Sequence, residues 1–594
     1  MYLDCQVKIP EADGKISKKL IKGTTYIYYE YARVYLKDKQ YNTPKRICVG
    51  KQVPGQPALM LPNDKFLKTF PQEILPVEKS NYRSGCLHIG SYIVLRKIIS
   101  DYRLDLMLAR IIGKDAGLFL DLAAYSIITE DNAGQYYPDY AFNHPLMTED
   151  MRIYSDSKVS DFLAKTTVDQ RIRFLNEWNE KRDHREKIYI SYDSTNKNCQ
   201  AGEIDMVELG HPKDDQGKEI FNYSIAYDRD NREPLYYEAY PGSIVDISQL
   251  KYTLEKAKGY GYKKVGFILD RGYFDKENIH FMDENGFDFV IMVKGMKKLV
   301  REVVLQARGT FEDDRRNSIR SYKVSGTTVK RKLYADDDRE RYVHIYFNDS
   351  KKKAEREKFE DKIDRMGKKL KECMGEPIHP GGDYKKYFDL VFWHEGLEDE
   401  KFMTGIELAD VISEEIKLCG YFVIVTSAKM NAEEALNLYK SRDGSEKLFS
   451  GAKSYLGAKS ERVYSNESID TKLFVEFVAT IIRSKMYTLL KDEMDQQEKK
   501  QNYMTVPAAI KELEKIEMLK GADNEYRLDY AVTATQKAIL QAFGLTASGI
   551  QKQANAISSD LFRIEKEAFE KASLSNEMDY MEGEHNGEKN DFLG

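Results

Sequence analysis

Lys-Ile-Tyr-Ile-Ser-Tyr-Asp-Ser-Thr, residues 187–195, is the stretch on which the fold turns. Its run 188–192 is aromatic and β-branched, as a buried strand is, and it meets an acid, Asp193, followed by small hydroxyl residues. Lys-Lys-Val-Gly-Phe-Ile-Leu-Asp-Arg-Gly-Tyr, residues 263–273, repeats the plan. Residues 265–269 are apolar, Asp270 closes the run, and Gly272 breaks the chain behind it. An acid where a strand stops is where open α/β sheets place ligands. Between the two, 221–228 and 235–240 read as a strand hairpin with turn-forming residues at its tip, and 246–258 as a helix capped by Asp246 or Ser243. A helix over about 275–284 and an apolar strand at 287–293 follow.

In a chain with 97 acidic residues, either aspartate alone is more often a turn former or a helix cap. A third acid gives them an order. Tyr439, Arg442, Glu446 and Lys453 are spaced three, four and seven apart, which at about 100° per residue puts all four within roughly 60° on one helical face. A carboxylate flanked by a guanidinium, an ammonium and a phenol suits a site that holds a metal and grips phosphates. Given the composition, a chance Y-x2-R-x3-E-x6-K is on the order of a per cent. Gly444 and Gly451 fall inside the motif at about 1 kcal/mol each against Ala, which predicts a bend or an end near Ser450.

The chain resembles the YREK group of DDE transposases encoded by bacterial insertion sequences, in the insertion-sequence-four-like superfamily. The resemblance rests on that spacing, the Asp-Ser-Thr segment and the Asp-Arg-Gly-Tyr segment, and spans roughly 185–490. It implies an α/β fold: an RNase H-like catalytic core interrupted by a large mixed insertion, with N-terminal β-rich and helical regions and a helical C-terminal region. The expected divisions are 1–80 (β-rich), 84–180 (helical, DNA-end-binding), 185–294 (core, first part), 295–419 (insertion), 420–490 (core, second part), 491–573 (helical) and 574–594 (disordered acidic tail). Asp193, Asp270 and Glu446 are then the catalytic, metal-holding acids. Mg²⁺ prefers oxygen ligands and keeps several waters, so two such ions, with Mn²⁺ able to substitute, would be shared through Asp193. Tyr439, Arg442 and Lys453 would hold flanking phosphates, with Arg271 and Thr195 beside the scissile strand. Relatives stack a flipped base on an aromatic residue of the insertion; Trp393 is the candidate, with a packing role as its commoner alternative. Trp178 carries no such signal.

The family resemblance further implies double-stranded DNA as partner, both the terminal inverted repeats and the target, and a homodimer in a synaptic complex. It also implies cleavage, hairpin formation at the ends and strand transfer. Two other classes stay open: a metal-dependent nuclease without strand transfer, and a transposase-derived DNA-binding protein with no activity.

A net charge of −5 sits badly with a DNA binder, although lysine clusters occur at 15–22, 37–51, 294–301 and 351–353. Within 351–371, nearly all charged, Phe359, Ile363, Met366 and Leu370 recur at helical spacing, so an apolar stripe with a solvated charged face is favoured over a DNA-tracking one. Residues 25–36 alternate as a strand able to pair with 45–49, and 54–62 read as a linker. Six scattered cysteines and nine scattered histidines indicate neither a disulfide framework nor zinc. No leader and no run of membrane length is found, so the expectation is a cytoplasmic, nucleoid-associated bacterial protein with no membrane partner.

Overall fold

The computed structural model describes residues 7–587, apart from 13–14, 22, 37–40, 55, 64, 71–82, 182–186, 200–203, 211–217, 245, 295–296, 397–399, 458, 497–503, 522 and 524. The chain divides into two compact units, 1–83 and 84–594.

The larger unit is built on the segments read above. β1 (Ile188–Cys199), β2 (Glu219–Asp228) and β3 (Glu233–Pro241) form an antiparallel meander. α1 (Asp246–Gly259), β4 (Val265–Leu269), α2 (Lys276–Glu284) and β5 (Asp288–Met292) follow. In space the strands run β3-β2-β1-β4-β5. β4 is parallel to β1, and β5 to β4. Parallel neighbours need a long crossover, which α1 and α2 provide. This is the RNase H-like arrangement expected from the sequence.

The insertion does not stand apart from that sheet. β6 (Val324–Arg331) and β7 (Arg341–Phe347) pair with each other, and β7 pairs with β8 (Tyr421–Thr426), which pairs with β5. A boundary at 295 or 419 therefore cuts through one continuous sheet. Only the outer part of the insertion has a core of its own. There α3 (Asp349–Glu372) lays Ile363, Met366 and Leu370 on the hairpin Phe388–Trp393 and Lys401–Glu407, around Phe402. Its charged face is laced by Lys351–Glu355 (3.0 Å) and Arg356–Glu360 (2.8 Å) pairs, the solvated face expected.

One face of the sheet is closed by α4 (Ala432–Lys440), packed over Ile268, Val290, Tyr346 and Ile424. α5 (Asp443–Tyr455) and the long α6 (Asn466–Gln496) follow. α6 is covered on every side over residues 471–482: Leu473, Phe474, Phe477 and Val478 are fully buried, and the charged Lys472 and Glu476 are buried with them. The helices of 84–180 pack on α6 in the same core rather than forming a unit of their own. Trp178 is one of that core's anchors, its indole N–H donating to the Pro234 carbonyl at 2.9 Å.

The region after 491 is not wholly helical. Glu517–Lys520 pairs with Tyr526–Leu528 and, across most of the unit's sequence, with Cys86–His88. The helix Ala547–Gly587 enters the segment expected to be a disordered tail; side chains past 567 and residues 588–594 lie outside the described residues.

The smaller unit is a five-stranded antiparallel sheet in which Ile27, Val49 and Met60 pack against Phe66 and Phe70. Thr24–Leu36 pairs with Tyr41–Val53, while most of the expected linker is the strand Gln56–Pro62, its Met60 and Pro62 facing inward. Prolines read as breaks are tolerated here because Pro57 falls where neither neighbouring strand is in register with it and Pro62 is the strand's last residue.

Among the described residues no helix is long and apolar enough to cross a membrane, and Cys48, Cys86, Cys199, Cys373 and Cys419 are free thiols; Cys5 lies outside the described residues.

Candidate active site

β1 and β4 run parallel in a register that ends with Tyr192 beside Leu269. The next residue on each strand is an aspartate, so Asp193 and Asp270 stand side by side across one strand spacing, about 4.8 Å between neighbouring backbones. β4 stops there. Asp270 is extended (φ −68°, ψ 156°), and Arg271–Tyr273 turns the chain away in a short 3-10 helix.

β1 does not stop, which corrects the reading of Asp193 as a strand-end residue. It runs on to Cys199 against β2, from Asp193 opposite Ile225 to Asn198 opposite Ile220. What ends at Asp193 is its neighbour. Beyond β4 the flank of β1 is open until Ser460–Glu461 pairs with Asn198–Cys199, leaving a notch in the sheet with the two acids at its head. Tyr273 ties the turn to the strand, its hydroxyl 3.1 Å from Ser194 Oγ, and the Ser194 amide donates to Asp193 Oδ1 at 2.9 Å. Thr195 is buried on β1; Arg271 is exposed.

The third acid reaches the notch from α4 and α5. Asn431 caps α4 in a capping box with Glu434, and the helix ends at Lys440. The Ser441 hydroxyl donates to the Leu438 carbonyl (2.6 Å), Arg442 N–H bonds back to Tyr439, and α5 begins at Asp443. The motif thus spans two helices rather than one stripe. The break falls before Gly444, not near Ser450. α5 continues through Gly451 because both glycines serve close packing. A side chain at Gly444 would press on the Tyr227 ring (3.3 Å), and one at Gly451 would collide with the Arg483 guanidinium. Glu446 lies in the first turn of α5, where the helix field favours a carboxylate. Lys453 is in α5, with its side chain outside the described residues.

Arg442, at the junction, joins the pieces. Its Nη1 lies 2.5 Å from Asp270 Oδ1, and its Nη2 contacts the Glu446 carboxylate. Its guanidinium carbon is 5.4 Å from the centre of the Tyr439 ring. Burial opposes the Arg442 charge, yet Tyr439, Asp270 and Glu446 together hold its pKa above the ordinary value. Tyr439 is only 6% exposed, in the apolar cluster under α4. Burial, with Asp270 and Glu446 adding to it, pushes its hydroxyl up to about 12, so it is a phenol at neutral pH. The structure therefore brings Asp193, Asp270, Arg442 and Glu446 to one notch and sets Tyr439 beneath them. Trp393 does not join them. It is 46% exposed at the end of the insertion hairpin, which overturns the packing role favoured from sequence.

No three acids, histidines or cysteines among the described residues close into a ready-made metal cage. The donor set still suits a hard divalent cation. It is oxygen only, with two carboxylates on adjacent strands and a third bridged by a guanidinium that occupies a cation's place; Mg²⁺ is commonly held by one or two carboxylates with water and phosphate oxygens completing the shell.

A second charged cluster has no counterpart in the sequence reading. Lys197, on the same face of β1 four residues beyond Asp193, is buried with its Nζ 3.1 Å from Glu461 and in contact with Glu476. Lys472 Nζ is 3.4 Å from Glu461, and the Asn132 amide reaches Glu461 at 3.3 Å. The signal that could have found it is a lysine inside an otherwise buried strand and a Lys-Glu pair inside an apolar helix.

Residues 190–482, a span holding all three acids, match the family model described as the transposase DDE domain. No curated protein matches the chain. Among solved structures, it is similar to a piggyBac transposase synaptic complex with hairpin DNA (TM-score 0.34, 8% identity, 82% of this chain and 86% of that chain). It is also similar to a Mos1 transposase paired-end complex with the left transposon end (TM-score 0.13, 13% identity, 29% and 57%). At these scores neither likeness carries an argument; the domain match does, and it supports a DDE transposase.

Proposed function

We propose, for a chain whose middle carries a transposase DDE domain, that this protein is the DNA transposase of a bacterial insertion sequence in the YREK group. The observation that carries the reading is the registered pair Asp193 and Asp270 at the sheet notch, with Arg442 linking Glu446 to it. Asp193, Asp270 and Glu446 would hold two divalent ions, Mg²⁺ or in its place Mn²⁺. When bound, these activate the attacking water or 3′-hydroxyl and stabilise the leaving oxygen.

The chain's own residues do the rest. In this reading the phosphodiester lies beside Asp193 and Asp270, with the exposed Arg271 next to Asp270 and the buried Thr195 two residues along β1. Arg442 presents a planar fork to a phosphate, and Tyr439 fixes that fork from below. Lys453 follows on α5, and Trp393 offers an exposed ring for a base drawn out of the duplex. The reaction is hydrolysis at the element end, attack of the freed 3′-hydroxyl on the opposite strand to give a hairpin, reopening, and joining to target DNA. Its partners are the terminal inverted repeats, the target, and a second copy of the chain in the synaptic complex, on the bacterial nucleoid.

Metal-dependent end cleavage and joining with labelled element ends tests this. Asp193→Ala, Asp270→Ala and Glu446→Ala each remove several kcal/mol of transition-state stabilisation, so cleavage falls on the order of a thousandfold or more while end binding persists. Near-wild-type cleavage in any of the three removes that residue from the site. Nicks without hairpins or joined products would make the protein a nuclease, and binding without cleavage would make it a regulator.

A further inference from the structure

The Arg442 fork holds one oxygen of each of two carboxylates, Asp270 and Glu446, that would serve a divalent cation. Nη1 lies 2.5 Å from Asp270 Oδ1, Nη2 is on Glu446, and the guanidinium side chain is 16% exposed, deeper than either carboxylate it bridges. Mg²⁺ takes its oxygens at about 2.0–2.1 Å, so a cation on Asp270 or Glu446 would sit against a positive charge already in contact with the same atoms. Their like charges oppose each other across the shared carboxylates, so each weakens the other's hold on the site. A phosphate offers the guanidinium another anion of matching shape and accepts the same fork with two parallel hydrogen bonds.

We propose that Arg442 is a latch: it closes the acidic site to divalent metal until a DNA phosphate takes its guanidinium, so that DNA and metal bind cooperatively. The proposal rests on the reading of Asp270 and Glu446 as metal ligands. A coupling of this kind is reciprocal, each ligand raising the other's affinity by one factor, typically about 5- to 150-fold. It keeps the site without metal until a strand is in place, and it gives the arginine of the motif a role before the chemistry as well as during it.

Mn²⁺ binding to the full chain, followed by the paramagnetic signal of the free ion, tests the latch without reading activity. The wild type, Arg442→Gln, Arg442→Lys and Lys440→Gln are titrated with and without a short duplex, each against the duplex alone. Lys440 is exposed two residues away and makes no ion pair with either acid, so its variant removes the same charge without opening the latch. Without DNA, Arg442→Gln is expected to bind Mn²⁺ about tenfold tighter than the wild type. Arg442→Lys, whose single ammonium cannot span both carboxylates, falls between, and Lys440→Gln changes binding less than twofold. DNA raises the wild-type affinity about tenfold and that of Arg442→Gln hardly at all.

Equal or weaker Mn²⁺ binding by Arg442→Gln with an unchanged thermal melt overturns the latch. So does an equal effect of DNA on both proteins, or an equal gain in Lys440→Gln. If the glutamine variant melts early, Arg442→Lys decides in its place. Asp270→Ala and Glu446→Ala separate the two readings: if neither loses Mn²⁺, the metal site itself is wrong and the latch goes with it. If both lose it while the Arg442 variants stay silent, only the latch fails.

Discussion

Lys197 is a fully buried charged side chain on β1, beyond Asp193. With Asp193 and Thr195 it shares one face of the strand, and through Glu461, Glu476, Lys472 and Asn132 it ties β1 to α6 and to the loop after Ala116–Thr129. Breaking a buried pair leaves uncompensated charge, so Lys197→Met should cost about 3–5 kcal/mol, read as a lower denaturation midpoint at unchanged slope. The cluster also sets a pH dependence. Burial, with Glu461 beside it, pushes Glu476 up to about 8 against the pull of Lys197, from an ordinary 4.5. The folded protein then keeps a proton that the unfolded chain releases near pH 4.5. Its stabilising contribution is present below that value and is lost as pH rises through about 8. Glu461 runs the other way: Lys197 and Lys472 overcome its burial and hold it below the ordinary value, so its contribution is lost only in acid, outside that window. Melting temperatures at pH 5.5 and 8.5 should show the wild type less stable at the higher pH, and Glu476→Gln, a neutral mimic, should flatten the difference. A wild type equally stable at both would place the shared proton elsewhere.

Elements whose form is set by local pattern were legible. β4 is an apolar run between charged turns, β1 begins as alternating aromatic and β-branched residues, and the capping box of α4 is written in Asn431 and Glu434. Elements set by distant partners were not. The α4–α5 break falls at Ser441 and Arg442, where Arg442 meets Asp270 just past β4; the glycines that seemed to mark it instead make room for Tyr227 and Arg483. The continuation of β1 depends on β2 and on Glu461, and the sharing of one sheet by core and insertion depends on β8 pairing both ways. The ribbon of the smaller unit is half legible. Its two strands follow from alternation, but Ile16–Ile21 flanks only Thr24–Tyr29 and Gln56–Pro62 only Gly50–Val53, so residues 32–36 and 41–45 pair with each other alone. Tyr31, Tyr35 and Tyr41 are well exposed there, beside Arg33 and Arg46, which share Glu30. A two-stranded ribbon fits the major groove, and exposed tyrosines among basic residues can stack on bases or pack on sugars. Replacing all three by Ala should leave the melt unchanged and weaken duplex binding about tenfold or more in a gel-shift titration; unchanged affinity would make the ribbon a contact for something other than DNA.

Across the whole molecule the charge is unevenly held. Residues 1–83 carry 15 Lys and Arg against 8 Asp and Glu, a net +7, so the remaining chain, with 77 against 89, carries −12 and the total of −5 conceals a basic unit. That division was invisible to the composition, because a sum over 594 residues has no boundary in it. It bears on which lysines meet DNA. On α3 the lysines sit among glutamates one turn away, as at Lys351–Glu355 and Lys353–Glu357, and a phosphate would have to displace a partner already in place. In the small unit Lys15, Lys18, Lys19 and Lys45 are exposed, and of these none pairs with an acid among the described residues. Each cation that neutralises a phosphate releases counterions and contributes about 0.9 to the slope of log K against log salt. Neutralising these four to Gln in the full chain should therefore flatten the slope of duplex binding by up to about 3.6. The same change at Lys351, Lys353, Arg356 and Lys362 of α3, each paired with an acid, should move it by less than about 1. A larger change from the α3 set would shift the DNA contact onto the insertion, and an equal change from both would mean that both sets of cations meet phosphates.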